Sequence, residues 1–270
     1  MSQRFVQLLG LNYTQLDQVC QQNPAVCEDA YLWKRKGMQD FSLTSKVFKS
    51  VPIRTNRGKY EYLLTTAPNK GLLDAAKHDN VNLAKYYIGL GANNFINSLY
   101  IAAEHGSIEV LELLSGYITN QEIASNIVVM AAEKNQEDIT NYMIENFNVN
   151  PDYAIASAAL EGNFALMERL DPSPEILTKV LDLALRSDRF NIVNYLLSIG
   201  AKPRGDTIAL ATRMGNLDLF NRLLQASGYT LDEYLIWLVK NNKTDQIKFL
   251  LDNNLTDRDV VAALSNHESY

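Results

Sequence analysis

"SLYIAAEHGSIEVLELL", residues 98–114, holds an alanine pair, Ala102-Ala103, then Gly106-Ser107, then an apolar run closing on Leu113-Leu114. Apolar residues three and four apart share one face of a helix, and a glycine between two such runs ends the first. The stretch therefore reads as two short helices around a tight turn. Whether it is a single motif or one copy of a repeated unit decides the fold.

With Ala102 as anchor, the pattern recurs at Ala75, Ala131, Ala158, Ala184, Ala211 and, in the last copy, Leu238; the intervals in chain order are 27, 29, 27, 26, 27 and 27 residues. The turns beginning four residues after the anchors are Asp79-Asn80, Gly106-Ser107, Asn135-Gln136, Gly162-Asn163, Asp188-Arg189, Gly215-Asn216 and Asn242-Lys243. Gly, Asn and Asp tolerate the left-handed backbone that ends a helix. Three positions before each anchor stands an apolar residue (Leu72, Leu99, Val128, Ile155, Leu181, Ile208, Leu235), on the same helix face as the alanine. The alanine lets a neighbouring helix approach where a larger side chain would overpack. The second helix carries Leu113-Leu114, Leu196-Leu197, Leu223-Leu224 or Leu250-Leu251. One such unit leaves a face uncovered, and stacked copies bury it. Between copies, Thr119-x-x-Glu122 and Thr230-x-x-Glu233 match the capping box, and Ser173-Pro174 supplies an N-cap followed by proline. Helix restarts almost at once, leaving little room for the β-hairpin of a longer unit.

"GLGANNFINSLYIAAEHGSIEVLELL" (89–114) and "SIGAKPRGDTIALATRMGNLDLFNRLL" (198–224) resemble ankyrin repeats, with Gly91-Ala92 closing a unit and Ala102-Ala103 as the helical pair. The family's Thr-Pro-Leu-His signature is absent, and Tyr100 or Ala209 stands where its histidine would be. The short unit resembles the divergent ankyrin arrays of large DNA viruses of amoebae, and the likeness covers about residues 70–265. It implies an all-α, ankyrin-like helical-hairpin solenoid of about seven repeats over 66–270. It also implies a protein partner on a concave face made by residues just after the alanine pairs: Lys77, His78, Glu104, His105, Glu133, Lys134, Leu160, Glu161, Arg186, Ser187, Arg213, Met214, Lys240 and Asn241. Their charge runs from mixed and acidic to basic, a gradient that orients a partner. Phe95, Tyr100, Tyr153, Tyr234 and Trp237 lie near this row as candidate anchors.

Residues 1–65 do not repeat, and divide into a helical segment over 1–45 and a basic linker over 46–65. "FVQLLGLNYTQLDQVCQQNPAVCEDAYLWKRKGMQDF" (5–41) fits two or three short helices broken at Asn12 and at Asn23-Pro24. Leu16, Cys20-x-x-Asn23, Val26-Cys27, Asp29 and Leu32-Trp33-Lys34 resemble an F-box. That likeness implies docking of a Skp-type ubiquitin-ligase adaptor through Leu8, Leu9, Leu11, Leu16 and Trp33, which requires an exposed apolar strip. The pattern's opening Leu-Pro has no counterpart here. The alternative is a helical cap that seals the apolar end of the array.

"KVFKSVPIRTNRGKYEYLL" (46–64) reads as a short β-hairpin turning at Thr55-Asn56-Arg57-Gly58, with Val47, Val51 and Ile53 facing Tyr60, Tyr62 and Leu64. Residues 34–60 hold Lys34, Arg35, Lys36, Lys46, Lys49, Arg54, Arg57 and Lys59 against Asp40 alone. With Phe48 and Tyr60 such a segment has the makings of a nucleic-acid site. The net charge of −6 weighs against it, and such patches more often form a solvated face or meet an acidic neighbour on the same chain.

Catalytic constellations do not emerge. His78 and His105 occupy equivalent repeat positions, but no further ligand spacing completes a metal set with them or with His267. Gly89-x-Gly91 lacks a third glycine, and no Gly-x-Ser-x-Gly or P-loop occurs. Arg204-Gly205-Asp206 falls in an inter-repeat loop. No cofactor is expected. The only cysteines, Cys20 and Cys27, are expected to be reduced thiols. The sequons at Asn12, Asn242 and Asn254 lack secretory context. No apolar stretch matches a signal peptide or the roughly 18–20 residues of a membrane span. The expectation is a soluble intracellular monomer, in the host cytoplasm if viral, that binds protein and does no chemistry.

Overall fold

The structure, a computed structural model, describes residues 3–266, leaving His267 outside the described residues. The regular structure among these residues is all helix, with no strand, and the chain divides into two compact units, Met1–Val149 and Asn150–Tyr270. The first begins with α1 (Gln3–Gly10), α2 (Tyr13–Gln22), α3 (Pro24–Glu28), α4 (Ala30–Asp40), α5 (Ser45–Ser50) and α6 (Asn56–Thr65). Three helical hairpins follow: α7 (Pro68–Lys77) with α8 (Val81–Gly89), α9 (Phe95–His105) with α10 (Ile108–Leu114), and α11 (Gln121–Glu133) with α12 (Glu137–Phe147). The second unit holds four: α13 (Asp152–Glu161) with α14 (Phe164–Leu170), α15 (Pro174–Arg186) with α16 (Phe190–Ser198), α17 (Gly205–Arg213) with α18 (Leu217–Ser227), and α19 (Leu231–Lys240) with α20 (Thr244–Asp252). Helix α21 (Arg258–Asn266) closes it.

The hairpin turns sit where the repeat places them. Asp79, Gly106, Asn135, Gly162, Asp188, Gly215 and Asn242 all have positive φ, between 49° and 83°. At each turn the next residue's N–H reaches back to the anchor carbonyl, as in Asn80 to Ala75 (2.9 Å), Gln136 to Ala131 (2.7 Å) and Lys243 to Leu238 (2.9 Å). This is the six-to-one bond of a Schellman motif, which satisfies carbonyls that a helix end otherwise leaves open. The anchors are completely buried, and the apolar residues three positions before them are at most 1 % exposed. Within the first unit α7 packs on α9 and α9 on α11; within the second α13 packs on α15, α15 on α17 and α17 on α19. Each hairpin thus lies against its sequence neighbours inside its unit.

Three turns carry a second feature. The residue after Asn135, Asp188 and Asn242 is long, and it reaches the preceding hairpin. Gln136 Nε2 donates to the Glu104 carbonyl (3.2 Å), Arg189 Nε donates to the Leu160 carbonyl (2.9 Å), and Lys243 pairs with Asp206 (3.1 Å). The Gln136 amide lies on Gly106, where a Cβ would collide with it, and Arg189 lies over Gly162; nothing crowds Gly215.

The N-terminal helices form their own core. Leu9, Leu16, Cys20, Leu32, Trp33 and Tyr60 are buried together, with Phe5, Leu8, Leu11, Tyr13, Val26 and Phe41 against them. Chain breaks fall where expected: Asn12 caps α2 in a box with Gln15, and Pro24 opens α3. Three expectations fail. Residues 46–65 are α5 and α6, not a β-hairpin. Thr55 caps α6 by accepting from the Gly58 N–H (3.1 Å), so the presumed turn is a first helical turn. The apolar spacings there also fit helix, with Phe48 and Val51, and Tyr60 and Leu63, three apart and buried. Cys20 is disulfide-bonded, not a free thiol, and α3 stays in contact with α2 across the break at Pro24. Finally, Asn120 and not Thr119 caps α11, by accepting from the Ile123 N–H (2.9 Å), whereas the Thr230–Glu233 box forms.

A buried lysine crosses this core. Lys36, 1 % exposed, pairs with Asp40 (2.8 Å) and donates to the Leu9 carbonyl (3.2 Å), and the Tyr60 hydroxyl donates to the same carboxylate (2.6 Å). Removing one partner of a buried pair is costly because the other is left uncompensated. Asp40 retains access to water, its side chain being 26 % exposed against 2 % for Lys36. Asp40→Asn is therefore expected to cost about 3–5 kcal/mol and Lys36→Met clearly less, as read by urea denaturation; the opposite order would reject this account of the pair. For the turns, Gly106→Ala combines positive φ with the collision on Gln136, whereas Gly215→Ala meets φ strain alone. Thermal melts are expected to rank Gly106→Ala as the more damaging.

Candidate protein-binding faces

The positions just after the alanine pair end each hairpin's first helix, ahead of the left-handed residue. The six-to-one bonds of the turn are made by backbone alone. In the first unit Lys77, His78, His105, Glu133 and Lys134 are exposed and Glu104 is half-buried. In the second, Leu160, Glu161, Arg186, Arg213, Met214, Lys240 and Asn241 are exposed and Ser187 is half-buried. The two histidines fold back on their own helices: Nδ1 lies 2.8 Å from the Asp74 carbonyl in His78 and 3.0 Å from the Ile101 carbonyl in His105. No cluster of three His, Cys, Asp or Glu suited to a metal occurs among the described residues.

Two grooves open beside these rows. Between α9 and α11, Tyr100, Asn126, Val129, Met130 and Glu133 line a space of about 290 Å³. Between α15 and α17, a larger one of about 500 Å³ is bounded by Leu185, Arg186, Asp188, Leu210, Arg213 and Met214. The arginines end their helices, where a positive charge suits the helix dipole. Val129, Met130, Leu185, Asp188 and Leu210 were not legible as lining residues. What they share is position, lying near the C-terminal ends of successive first helices or, for Asp188, in the turn just after one.

Of the candidate aromatic anchors, Tyr100 lines a groove and Tyr153 is exposed. Phe95 stacks on Tyr117 with ring centres 3.8 Å apart. Tyr234 is fully buried and belongs to the core. Trp237 covers Gly205, where a Cβ would fall within its ring, and the Lys243 ammonium lies 5.7 Å from the ring centre. The Arg-Gly-Asp tripeptide is not an inter-repeat loop: Arg204 is the N-cap of α17 and Gly205 and Asp206 are its first residues, with Gly205 against Trp237 and Asp206 held by Lys243.

The N-terminal candidates are placed differently from the expected strip. Leu9, Leu16 and Trp33 are buried inside the N-terminal core, and Leu8 and Leu11 are half-buried against it. The exposed apolar side chains there are Val6 (57 %) and Tyr31 (56 %), with the Phe5 ring 5.6 Å from that of Tyr31. The basic segment is partly spent inside the chain. Lys36 is buried, and Arg57 pairs with Asp17 (2.6 Å) and Glu61 (2.8 Å) while stacking over Trp33. The Glu61 bond, the larger cause, raises the Arg57 pKa further above its ordinary value. Phe48 and Tyr60, the aromatics needed for base stacking, are buried.

No known family model matches the chain, and no curated protein matches it in sequence. No described helix is long and apolar enough to cross a membrane.

If the rows are surface for binding and not for folding, Arg186→Ala and Arg213→Ala should each leave stability within about 0.5 kcal/mol. Gly205→Ala, forced against Trp237, should cost about 1–3 kcal/mol. Urea unfolding of the three variants measures the contrast.

Proposed function

We propose that the chain is a non-enzymatic, ankyrin-like repeat protein that captures a protein partner on the residues following its alanine pairs, with its N-terminal helices acting as a cap. The observation that carries this reading is the recurrence, at one repeat position, of exposed side chains, with Glu133 bordering the groove of α9–α11 and Arg186, Arg213 and Met214 that of α15–α17. The cap assignment is supported by contacts inside the first unit. Helix α5 packs on α8, Asn80 Nδ2 donates to the Ser50 carbonyl (2.5 Å), and the Tyr62 hydroxyl donates to Asp74 (2.8 Å). The first hairpin's outer side is thereby covered by chain that does not repeat, as a stack of this kind requires for solubility.

A second reading, recruitment of a ubiquitin-ligase adaptor by an F-box-like segment, is favoured by the exposed Val6 and Tyr31. It has to run through those residues, because Leu9, Leu16 and Trp33 are enclosed.

Site-specific photo-crosslinking of the full-length protein in cells tests both readings. A crosslinker at Tyr100 or Met214 is expected to trap partner proteins that the same group at Glu112 or Asn194, on the second helices, does not. Equal trapping at all four positions, or none, rejects the face. Val6→Asp with Tyr31→Asp should leave that trapping unchanged; loss of a co-purifying ligase adaptor in this variant would instead establish the second reading.

A further inference from the structure

Resting on the partner-capture reading, we propose that the groove between α15 and α17 takes an acidic segment of the partner, with two carboxylates three residues apart in an extended, polyproline-II-like stretch. Arg186 and Arg213 occupy the same position on successive first helices. Both are exposed, and neither is in an ion pair among the described residues. An arginine fork matches a carboxylate in two parallel hydrogen bonds, so two unpaired forks flanking one groove ask for two carboxylates.

The spacing selects the ligand's backbone. Packed helices lie about 8–10 Å apart. A polyproline-II segment repeats every three residues at about 3.1 Å per residue, returning a side chain to the same face after about 9 Å. A β-strand returns after two residues, only about 6.6 Å. The groove is also lined by Leu210, half-buried, and by Met214, 41 % exposed, over the buried Leu185. These give an apolar floor for a leucine- or proline-sized side chain between the two acids.

Asp188 on the rim, and a net charge of −6 for the chain, act against a continuous polyanion such as nucleic acid. A short peptide with two placed charges and apolar neighbours avoids both.

The test is a fluorescence-anisotropy titration of the full-length protein with labelled peptides built on Asp-Leu-Pro-Asp. Saturable binding is expected, weakened at least tenfold when both Asp are replaced by Asn and several-fold when the acids are two residues apart. Arg186→Gln and Arg213→Gln should each weaken it about tenfold with unchanged thermal melting, and Arg186→Lys, which keeps the charge but loses the fork, by less. The proposal is overturned by absence of saturable binding at millimolar peptide. It also fails if the Asn peptide binds equally, if Arg186→Gln/Arg213→Gln binds as wild type does, or if an oligothymidylate competes as well as the acidic peptide. Trapping of partners from Met214 without acidic-peptide binding rejects this occupant alone. Peptide binding without trapping from Tyr100 or Met214 rejects the broader capture reading while leaving a peptide groove.

Discussion

The rest of the structure depends on one backbone event: a helix closed by a left-handed residue four positions after a buried anchor. Positive φ at that residue reverses the chain within two or three residues. The N–H of the following residue then bonds the anchor carbonyl, at 2.7–3.1 Å in all seven hairpins. A connection this short leaves the two helices antiparallel and in contact. It also fixes the direction in which the anchor points. Because six of the seven anchors are alanine, the next hairpin's first helix can come close, and burial of the anchor and of the residue three positions earlier follows from the same geometry. Turn, small residue and stacking are one constraint seen at three scales.

That constraint is met in two alternating ways. Gly106, Gly162 and Gly215 turn without a side chain, and the copies between them turn on Asp79, Asn135, Asp188 and Asn242. An L-residue at positive φ is strained unless it is Asn or Asp, and these four are all of that kind. Asp79 gives something back, since its carboxylate accepts the Val110 N–H (2.9 Å) at the start of the next hairpin's second helix. Gln136 and Arg189 give more, crossing to a carbonyl that the preceding helix end leaves open. They can do so because a glycine lies beneath them. Lys243, with nothing crowding Gly215, turns to Asp206 instead. The glycine of one copy and the long side chain of the next are thus a single device spread over two hairpins.

Much of this was legible in the sequence, because the signals are local. The seven left-handed turns, their anchors, the apolar residue one helical turn earlier, and the breaks at Asn12 and Pro24 follow from residue types at fixed spacings. What failed was what local pattern underdetermines. In residues 46–65 the apolar spacings suit strand and helix alike, and tertiary contacts decided: Phe48 packs on Gly37, where a Cβ would lie within the ring, and Tyr60 reaches Asp40. The basic run was counted as surface charge, yet Lys36 and Arg57 are tied to Asp40, Asp17 and Glu61, one of them 40 residues away in sequence. The apolar residues of 5–33 were legible as apolar. Whether they faced a partner or one another depended on where α6 would land.

The rows proposed for binding were only half legible, for a reason the turn itself supplies. Residues at the anchor, and four and five positions beyond it, are each committed to burial, to positive φ or to a backbone bond. The two positions just before the left-handed residue are not fixed by the turn, and their sequence varies from Lys-His to Leu-Glu to Arg-Met without disturbing the hairpin. Freedom from the fold is what makes a position available for binding, and it is equally what removes any fold-derived rule for predicting its chemistry. Periodicity therefore locates the face, and the identity of what it holds has to come from the particular side chains: two unpaired arginines, an apolar floor and an aspartate on the rim in the groove of α15 and α17, against a tyrosine, a methionine and a glutamate in that of α9 and α11. Grooves so unlike, at equivalent repeat positions, follow from side chains that the repeat itself does not dictate.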